Sequence, residues 1–525
     1  MLDYIIIGSG FGGSVSALRL GEKGYKVLVL EKGRRFSKED FPKTNWNLPK
    51  WLWLPILNWR GLFKMTFFRH ITVFSGVGVG GGSLVYANTL PIPKDGFFQA
   101  PSWSYLADWK KELYQHYLTA KKMLGATVNQ HFTRSDQIIH EIAKEKNIHH
   151  GVQPTEVGVF LGEPGKTVKD PYFKGKGPER QGCVFCGACM IGCRHNAKNT
   201  LDKNYLYLAE GLGVNIQPNS EVTHVEQKSD HYQVIVSTYR GWWRRPKKTA
   251  LRTRKVIFSG GVLGTVPLLL KLKNDPKGLP LLSPMVGKSI RTNNEAIFGI
   301  VDPSPGVNYS KGIAISSILQ LGDHSHLEPV RTAAGSGFFR LLMGPHAPGD
   351  HFFARCLSAL KSFIKQPLTW IKVIFVKDFG KNTNILLYMQ SFEGTLRFLR
   401  RRTFWHFFRP KVVSKVDGDI APRAFIREAT DLAQRFANKV GGVTGNLITE
   451  SILGIPSTAH LLGGCCMGND RESGVIDANH QIFGYPGLYV IDGSAVSANP
   501  GVNPSLTIAA LAERAMSNIP NKLQE

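Results

Sequence analysis

The chain has 525 residues, with 65 Lys and Arg against 39 Asp and Glu, a formal net charge of +26. That length exceeds one ordinary domain, and 55 glycines suit an α/β protein with many strand-to-helix turns. The charge predicts attraction to anionic surfaces, but no basic low-complexity tail carries it, which argues against nucleic acid and for acidic lipid. No basic region precedes the first apolar run and no uncharged stretch is long enough to span a bilayer. The expected location is therefore cytoplasmic, peripheral at a membrane, without signal peptide or transmembrane helix.

The first informative stretch runs from Leu2 to Glu31. Leu2 to Ile7 is a short apolar run, as a buried parallel strand requires. Gly8, Gly10 and Gly13 then form G-x-G-x-x-G, ahead of helical spacing at Val15, Leu18 and Leu20. A second apolar strand, Tyr25 to Leu30, ends at Glu31. Gly8 permits the tight turn, Gly10 lets a pyrophosphate approach the backbone, and Gly13 lets the helix pack on the strand. The helix N-terminus attracts phosphate, and Glu31 can accept from a ribose. This predicts a dinucleotide site and leaves NAD and FAD both open.

Residues Trp46 to His70 place Trp46, Trp51, Trp53 and Trp59 among Lys50, Arg60, Lys64 and Arg69. Pro49, Pro55 and Gly61 exclude one long helix, so the stretch is either a lipid-headgroup interface or a loop packed on the core. Between Phe74 and Asn88 lie Gly76, Gly78, Gly80, Gly81 and Gly82, set among apolar residues rather than the polar ones of a linker. That predicts a buried, ligand-facing turn. Residues 104–147 read as helical, as does Thr200 to Glu210, and Gly213 to Ser237 alternates like paired strands with a basic hairpin tip at 242–248. Lys255 to Leu270 reads as a second strand–turn–helix unit returning to the first sheet. Residues from about 290 to 450 have mixed periodicity and suggest a separate domain. Within it Phe353, Leu357, Leu360 and Ile364 share one helical face, and Thr395 to Lys411 interleaves arginines with Phe398, Phe404, Trp405, Phe407 and Phe408. Membrane contact explains both better than single-stranded nucleic acid does.

Near the C-terminus His460 precedes a glycine turn, Asp492 ends an apolar strand, and Asn503, Pro504 and Ser505 open a helix continuing to Met516. Proline suits the first turn of a helix. Such an N-terminus can stabilise negative charge on a reduced cofactor.

These segments, TAHLLGGC, GVID and LYVIDGSAVSANPGVNPSLTIAALAER, together with Gly8–Gly13, Gly78–Ser83 and Gly260–Thr265, resemble the glucose-methanol-choline (GMC) oxidoreductases. The resemblance is greatest to the cholesterol oxidase-like branch of these FAD enzymes. It implies an α/β fold: a Rossmann-like FAD-binding domain assembled from discontinuous segments, with a second α+β substrate-binding domain. The FAD-binding segments would be 1–100, 183–290 and 451–525, with a cap or substrate region at 101–182 and a substrate domain at 291–450. FAD would lie along Gly8, Gly10, Phe11, Gly12, Gly13 and Glu31, beside Gly78, Gly80, Gly81, Gly82 and Ser83. Val222, Asp492, Gly493, Asn503, Pro504 and Ser505 would complete its site.

By the same resemblance His460 and Asn503 are the active-site pair, and the substrate is a lipophilic secondary alcohol, a 3-hydroxysteroid such as cholesterol. Oxidation to the ketone needs the hydroxyl proton removed while hydride leaves carbon for flavin N5. Histidine can take or orient that proton, and asparagine offers both a donor and an acceptor. The electron acceptor would be oxygen or a separate carrier. Some members use a glutamate to shift the steroid double bond, and none aligns here.

Cys183-x2-Cys186-x2-Cys189-x3-Cys193 has the spacing of a [4Fe–4S] loop, although Arg194 stands where proline usually follows. Zinc on the same thiolates, or bare thiols, are the alternatives. An iron–sulfur cluster would make the chain a membrane-associated dehydrogenase passing electrons onward.

Overall fold

Strand β1 (Leu2–Ile7) is central to a sheet covered on both faces, which explains its unbroken apolar run. In the computed structural model, which describes residues 1–349, 351–402 and 410–523, β1 pairs in parallel with β2 (Val27–Leu30) on one side and the end of strand Lys247–Phe258 on the other. Asn215–Gln217 extends the parallel sheet beyond β2, and Leu488–Val490 lies beside Val256–Phe258. The first half of Lys247–Phe258 turns out of this arrangement, pairing antiparallel with Tyr232–Thr238 and through it with Ser220–Gln227. Helix α1 (Phe11–Glu22) packs beside helix Ser505–Ser517 from the other end of the chain. Arg19 fixes the pair by an ion pair to the buried Glu513 at 2.7 Å, and the Tyr205 hydroxyl donates to the same carboxylate.

A second, wholly antiparallel sheet has seven strands in the order Met343–Pro345, Val443–Leu447, Ala296–Val301, Thr383–Gln390, Ser325–Val330, Ser317–Gln320 and Val152–Pro154. Its side chains alternate as strand geometry dictates. Phe298, Ile300, Leu386 and Tyr388 pack under helices Arg134–Glu145 and Arg427–Lys439. The intervening Ile297, Gly299, Ile385 and Leu387 face a cavity. A small third sheet places Ser457–Thr458 parallel to Thr72–Gly76, which pairs with Phe63–Phe67. That pairing brings the segment before His460 alongside the glycine-rich turn.

Several expectations need correction. The 104–147 reading resolves into two helices, Trp109–Met123 and Arg134–Glu145, separated where Gly125 takes φ +59°. The helix expected from Thr200 begins only at Tyr205, where Asn204 caps it. In the 46–70 stretch Trp51 is buried, stacked on Phe63 and edge-on to Phe338 and Phe339. It belongs to the core, whereas Ile56 and Phe67 point outward. In the basic aromatic run, Phe398 is buried against Phe68 and Arg397 is paired with Asp417. Phe404, Trp405, Phe407, Phe408 and Arg409 lie outside the described residues. Among the described residues no helix is long and apolar enough to cross a membrane.

Candidate active site

One cavity of about 740 Å³ joins the glycine-rich N-terminal motif to the open face of the antiparallel sheet. Gly8, Gly10, Phe11, Gly12 and Glu31 line it, as do Gly81, Gly82, Val222, Asp492, Gly493, Asn503, Pro504 and Ser505. His460 is in the same wall, with Trp51, Phe74, Phe339, Ile297 and Leu387.

The glycines divide by task. Gly8 holds φ +104°, and a Cβ there would sit 2.3 Å from the Ser259 carbonyl oxygen. A Cβ on Gly12 would lie 1.8 Å from the Ile491 carbonyl oxygen, so α1 touches the C-terminal segment directly. Within the N-terminal motif only Gly10 leaves room for an added carbon, 4.0 Å from its nearest neighbour. Gly13, Gly78, Gly80 and Ser83 do not line the cavity. They shape its wall: Gly13 packs on Gly8, Gly80 N–H donates to Ser9 Oγ, and the Ser83 hydroxyl donates to the Gly80 carbonyl.

Glu31 is buried and accepts from Ser9 N and Oγ and from Gly33 N, which leaves lone pairs for a ligand. Asp492 accepts from Ser494 N and Oγ, Gly261 N and Thr265 Oγ1, all within 2.8 Å. Burial nevertheless pushes its carboxyl above the usual range.

His460 follows Ser457–Thr458 and donates from Nδ1 to Glu295 Oε1 at 2.9 Å. The Glu295 carboxylate has no accessible surface on its side chain and also accepts from Thr458 Oγ1 at 2.6 Å and Ala459 N at 3.1 Å. With the carboxylate accepting, Nδ1 carries the hydrogen, and in the neutral imidazole Nε2 keeps its lone pair. Nε2 makes no hydrogen bond to the protein among the described residues. Burial by itself would lower the imidazole pKa, but the charge and hydrogen bond of Glu295, aided by Glu328, outweigh it and hold His460 above the ordinary histidine value. Opposite, Asn503 Nδ2 donates to Glu328 Oε2 at 3.4 Å, while its Oδ1 is buried without a partner. Asn446, also in the cavity wall, donates to Glu450, whose carboxyl is raised to about 8 by complete burial. Glu328 and Glu450 carry no local sequence signal. The only hint for Glu295 was an acid placed just before an alternating strand.

Among the described residues no three His, Cys, Asp or Glu side chains converge on a place that could hold an ion. The glycines that suggested a wrapped cluster serve packing instead: a Cβ on Gly187 would meet the Ser310 carbonyl at 2.2 Å, and one on Gly192 the Phe41 ring at 2.0 Å. The loop is held by its own neighbours, the buried Arg180 guanidinium on the Ala197 and Lys198 carbonyls and Lys198 Nζ on Leu84 and Cys189.

The residues present fit FAD on three counts. Gly10 opens into the cavity, the N-terminus of α1 has no side-chain cap, and Asn503 Oδ1 lacks a partner.

Two family profiles match the chain, NAD(P)-binding Rossmann-like domain over residues 6–39 and GMC oxidoreductase over residues 409–512. The chain is 42% identical over 531 residues to a cholesterol oxidase of Acinetobacter baumannii, covering 99% of this chain and 94% of that protein. It is 43% identical over 536 residues to a cholesterol oxidase of Mycobacterium tuberculosis, covering 99% and 91%. A crystal structure of pyridoxine 4-oxidase from Mesorbium loti shares the fold at a TM-score of 0.61 and 14% identity, covering 98% of this chain and 99% of that one.

Proposed function

The chain belongs to the GMC oxidoreductase family, in its cholesterol oxidase-like branch, and we propose that it oxidises the 3-hydroxyl of a sterol to the ketone, with oxygen as the final acceptor. The observation that carries this reading is the single cavity, which joins a dinucleotide cradle to the apolar face of a sheet with His460 in its wall. FAD, when bound, supplies the acceptor for the hydride leaving the carbinol carbon. Everything else falls to this chain's residues.

Gly10 and the N-terminus of α1 would hold the phosphates and Glu31 the ribose. Asn503, Pro504 and Ser505 bring the start of helix Ser505–Ser517 to the cavity, where its dipole favours negative charge. His460 takes the alcohol proton on Nε2, and the imidazolium so formed is stabilised by Glu295 on Nδ1. Asn503 Oδ1 or Nδ2 orients the hydroxyl for that transfer. Ile297, Ile385 and Leu387 give the sterol rings an apolar wall. The substrate's insolubility and the net charge both support a working position at a membrane surface.

Turnover of cholesterol and other 3β-alcohols, followed with oxygen or a dye, tests the reading. Ready oxidation of choline or sugars with no sterol turned over would reject it.

A further inference from the structure

Between strands Met343–Pro345 and Thr383–Gln390 the second sheet carries an insertion folded as two helices, Phe352–Lys365 and Pro367–Ile374. The inner face is accounted for. Trp370 and Val373 are buried with Val376 and Phe379 against Val301, Val443 and Met343. Met343 and Phe379 also line the cavity, so one layer of side chains separates the helical pair from the apolar chamber.

Among the described residues the outer face has no such partner. Phe353, Ile364, Leu368 and Phe375 expose 78, 68, 72 and 79% of their surface, and Leu360 and Ile371 more than half. An apolar face of that kind marks an interaction site. Charge then selects among occupants. Residues 351–377 contain one Arg and four Lys and no Asp or Glu. A second copy of this chain would set two such cationic faces together, within molecules of +26 each. An acidic lipid surface meets the same lysines with opposite charge, and its acyl boundary takes the apolar side chains. The longer helix has 14 residues, about 21 Å at 1.5 Å per residue, too short to cross the hydrocarbon core.

We infer that the helical pair Phe352–Ile374 is the element that docks this chain on an acidic lipid bilayer, lying in the headgroup plane with its apolar face sunk into the acyl boundary. Docking there sets the wall of the substrate chamber against the lipid that holds the sterol. The inference deepens the proposed oxidation of a membrane-borne sterol and rests on it for its purpose, though not for its geometry.

The test uses full-length holoenzyme sedimented with phosphatidylcholine vesicles, with and without phosphatidylserine. Wild type should partition onto the acidic vesicles. The Phe353→Asn/Ile364→Asn/Leu368→Asn variant should bind them at least tenfold more weakly, with kcat/KM on detergent-dispersed sterol unchanged. Lys361→Gln/Lys365→Gln/Lys372→Gln should lose roughly a hundredfold of the acidic-vesicle affinity, about fivefold per lysine, and with it the preference over neutral vesicles. This second variant keeps the test decisive should the first fold poorly. Equal vesicle binding by wild type and either variant overturns the inference. So does a wild-type dimer in sedimentation velocity that the apolar variant abolishes, since a second copy would then cover the face. If wild type binds vesicles as described yet oxidises no sterol in any form, the docking stands and the substrate reading falls.

Discussion

Replacing Glu295 by glutamine keeps the shape of a fully buried side chain and removes its charge from His460 Nδ1. In the wild type that charge, with the hydrogen bond, overcomes burial and holds the imidazole pKa above its ordinary value. Hydrogen bonds to charged groups are worth about 1.5–3 kcal/mol, and one pH unit corresponds to about 1.36 kcal/mol. The Glu295→Gln variant should therefore lower the His460 pKa. Proton abstraction requires neutral His460, so activity rises as pH passes upward through this pKa. The ascending limb of kcat/KM should consequently move to lower pH in the variant. The plateau should also fall, by about 10- to 100-fold, because the imidazolium formed in the reaction loses its counter-charge. Steady-state kcat/KM on detergent-dispersed sterol from pH 5 to pH 9 measures both. A limb that stays in place, or moves to higher pH, would refute the pairing of Glu295 with a proton-accepting His460.

Other residues give separate tests. Asn503→Ala should retain FAD by its absorbance yet lose about 10²-fold in kcat, and full turnover would remove Asn503 from the reaction. Glu450 has a folded pKa of about 8, raised by burial, against an ordinary value near 4.5. The native state therefore holds a proton that the unfolded chain gives up between those values. Its contribution to stability is complete below about pH 4.5 and is lost as pH rises to about 8, with a slope of up to about 1.36 kcal/mol per unit. Glu450→Gln should flatten the urea midpoint against pH across that window, and parallel curves would contradict the assignment. Gly12→Ala drives a methyl to 1.8 Å from the Ile491 carbonyl, so α1 must shift. Overpacking of this kind costs about 1–3 kcal/mol, and both melting temperature and FAD retention should drop.

What the sequence revealed were features encoded within a few residues. Leu2 to Glu31 shows its strand, turn and helix because the positive φ of Gly8 and the packing of Gly13 on it are local demands, and the strand–turn–helix at Gly261, also at positive φ, is legible for the same reason. The third close approach, Gly12 on Ile491, was hidden because its partner comes from the far end of the chain. Glu295 escaped notice similarly: it lies 165 residues from His460, and only the sheet topology makes them neighbours. Aromatic residues left two readings open in one stretch. Trp51 among cations resembles an interfacial anchor, whereas the fold turns it inward beside Phe63 and leaves the exposed apolar face to the helices after Phe352. The cysteine spacing is a local pattern, behind which no metal-holding group converges among the described residues, and its glycines answer to Ser310 and Phe41.

On the function proposed above, this cavity brings a sterol alcohol to a flavin. Anaerobic addition of cholesterol in detergent to purified holoenzyme, followed in the visible spectrum, tests it most directly. The holoenzyme should carry one FAD per chain whose absorbance bleaches on adding sterol and returns with air. A flavin spectrum left unchanged by any 3β-hydroxysterol, or protein purified without flavin that cannot take it up, would contradict it.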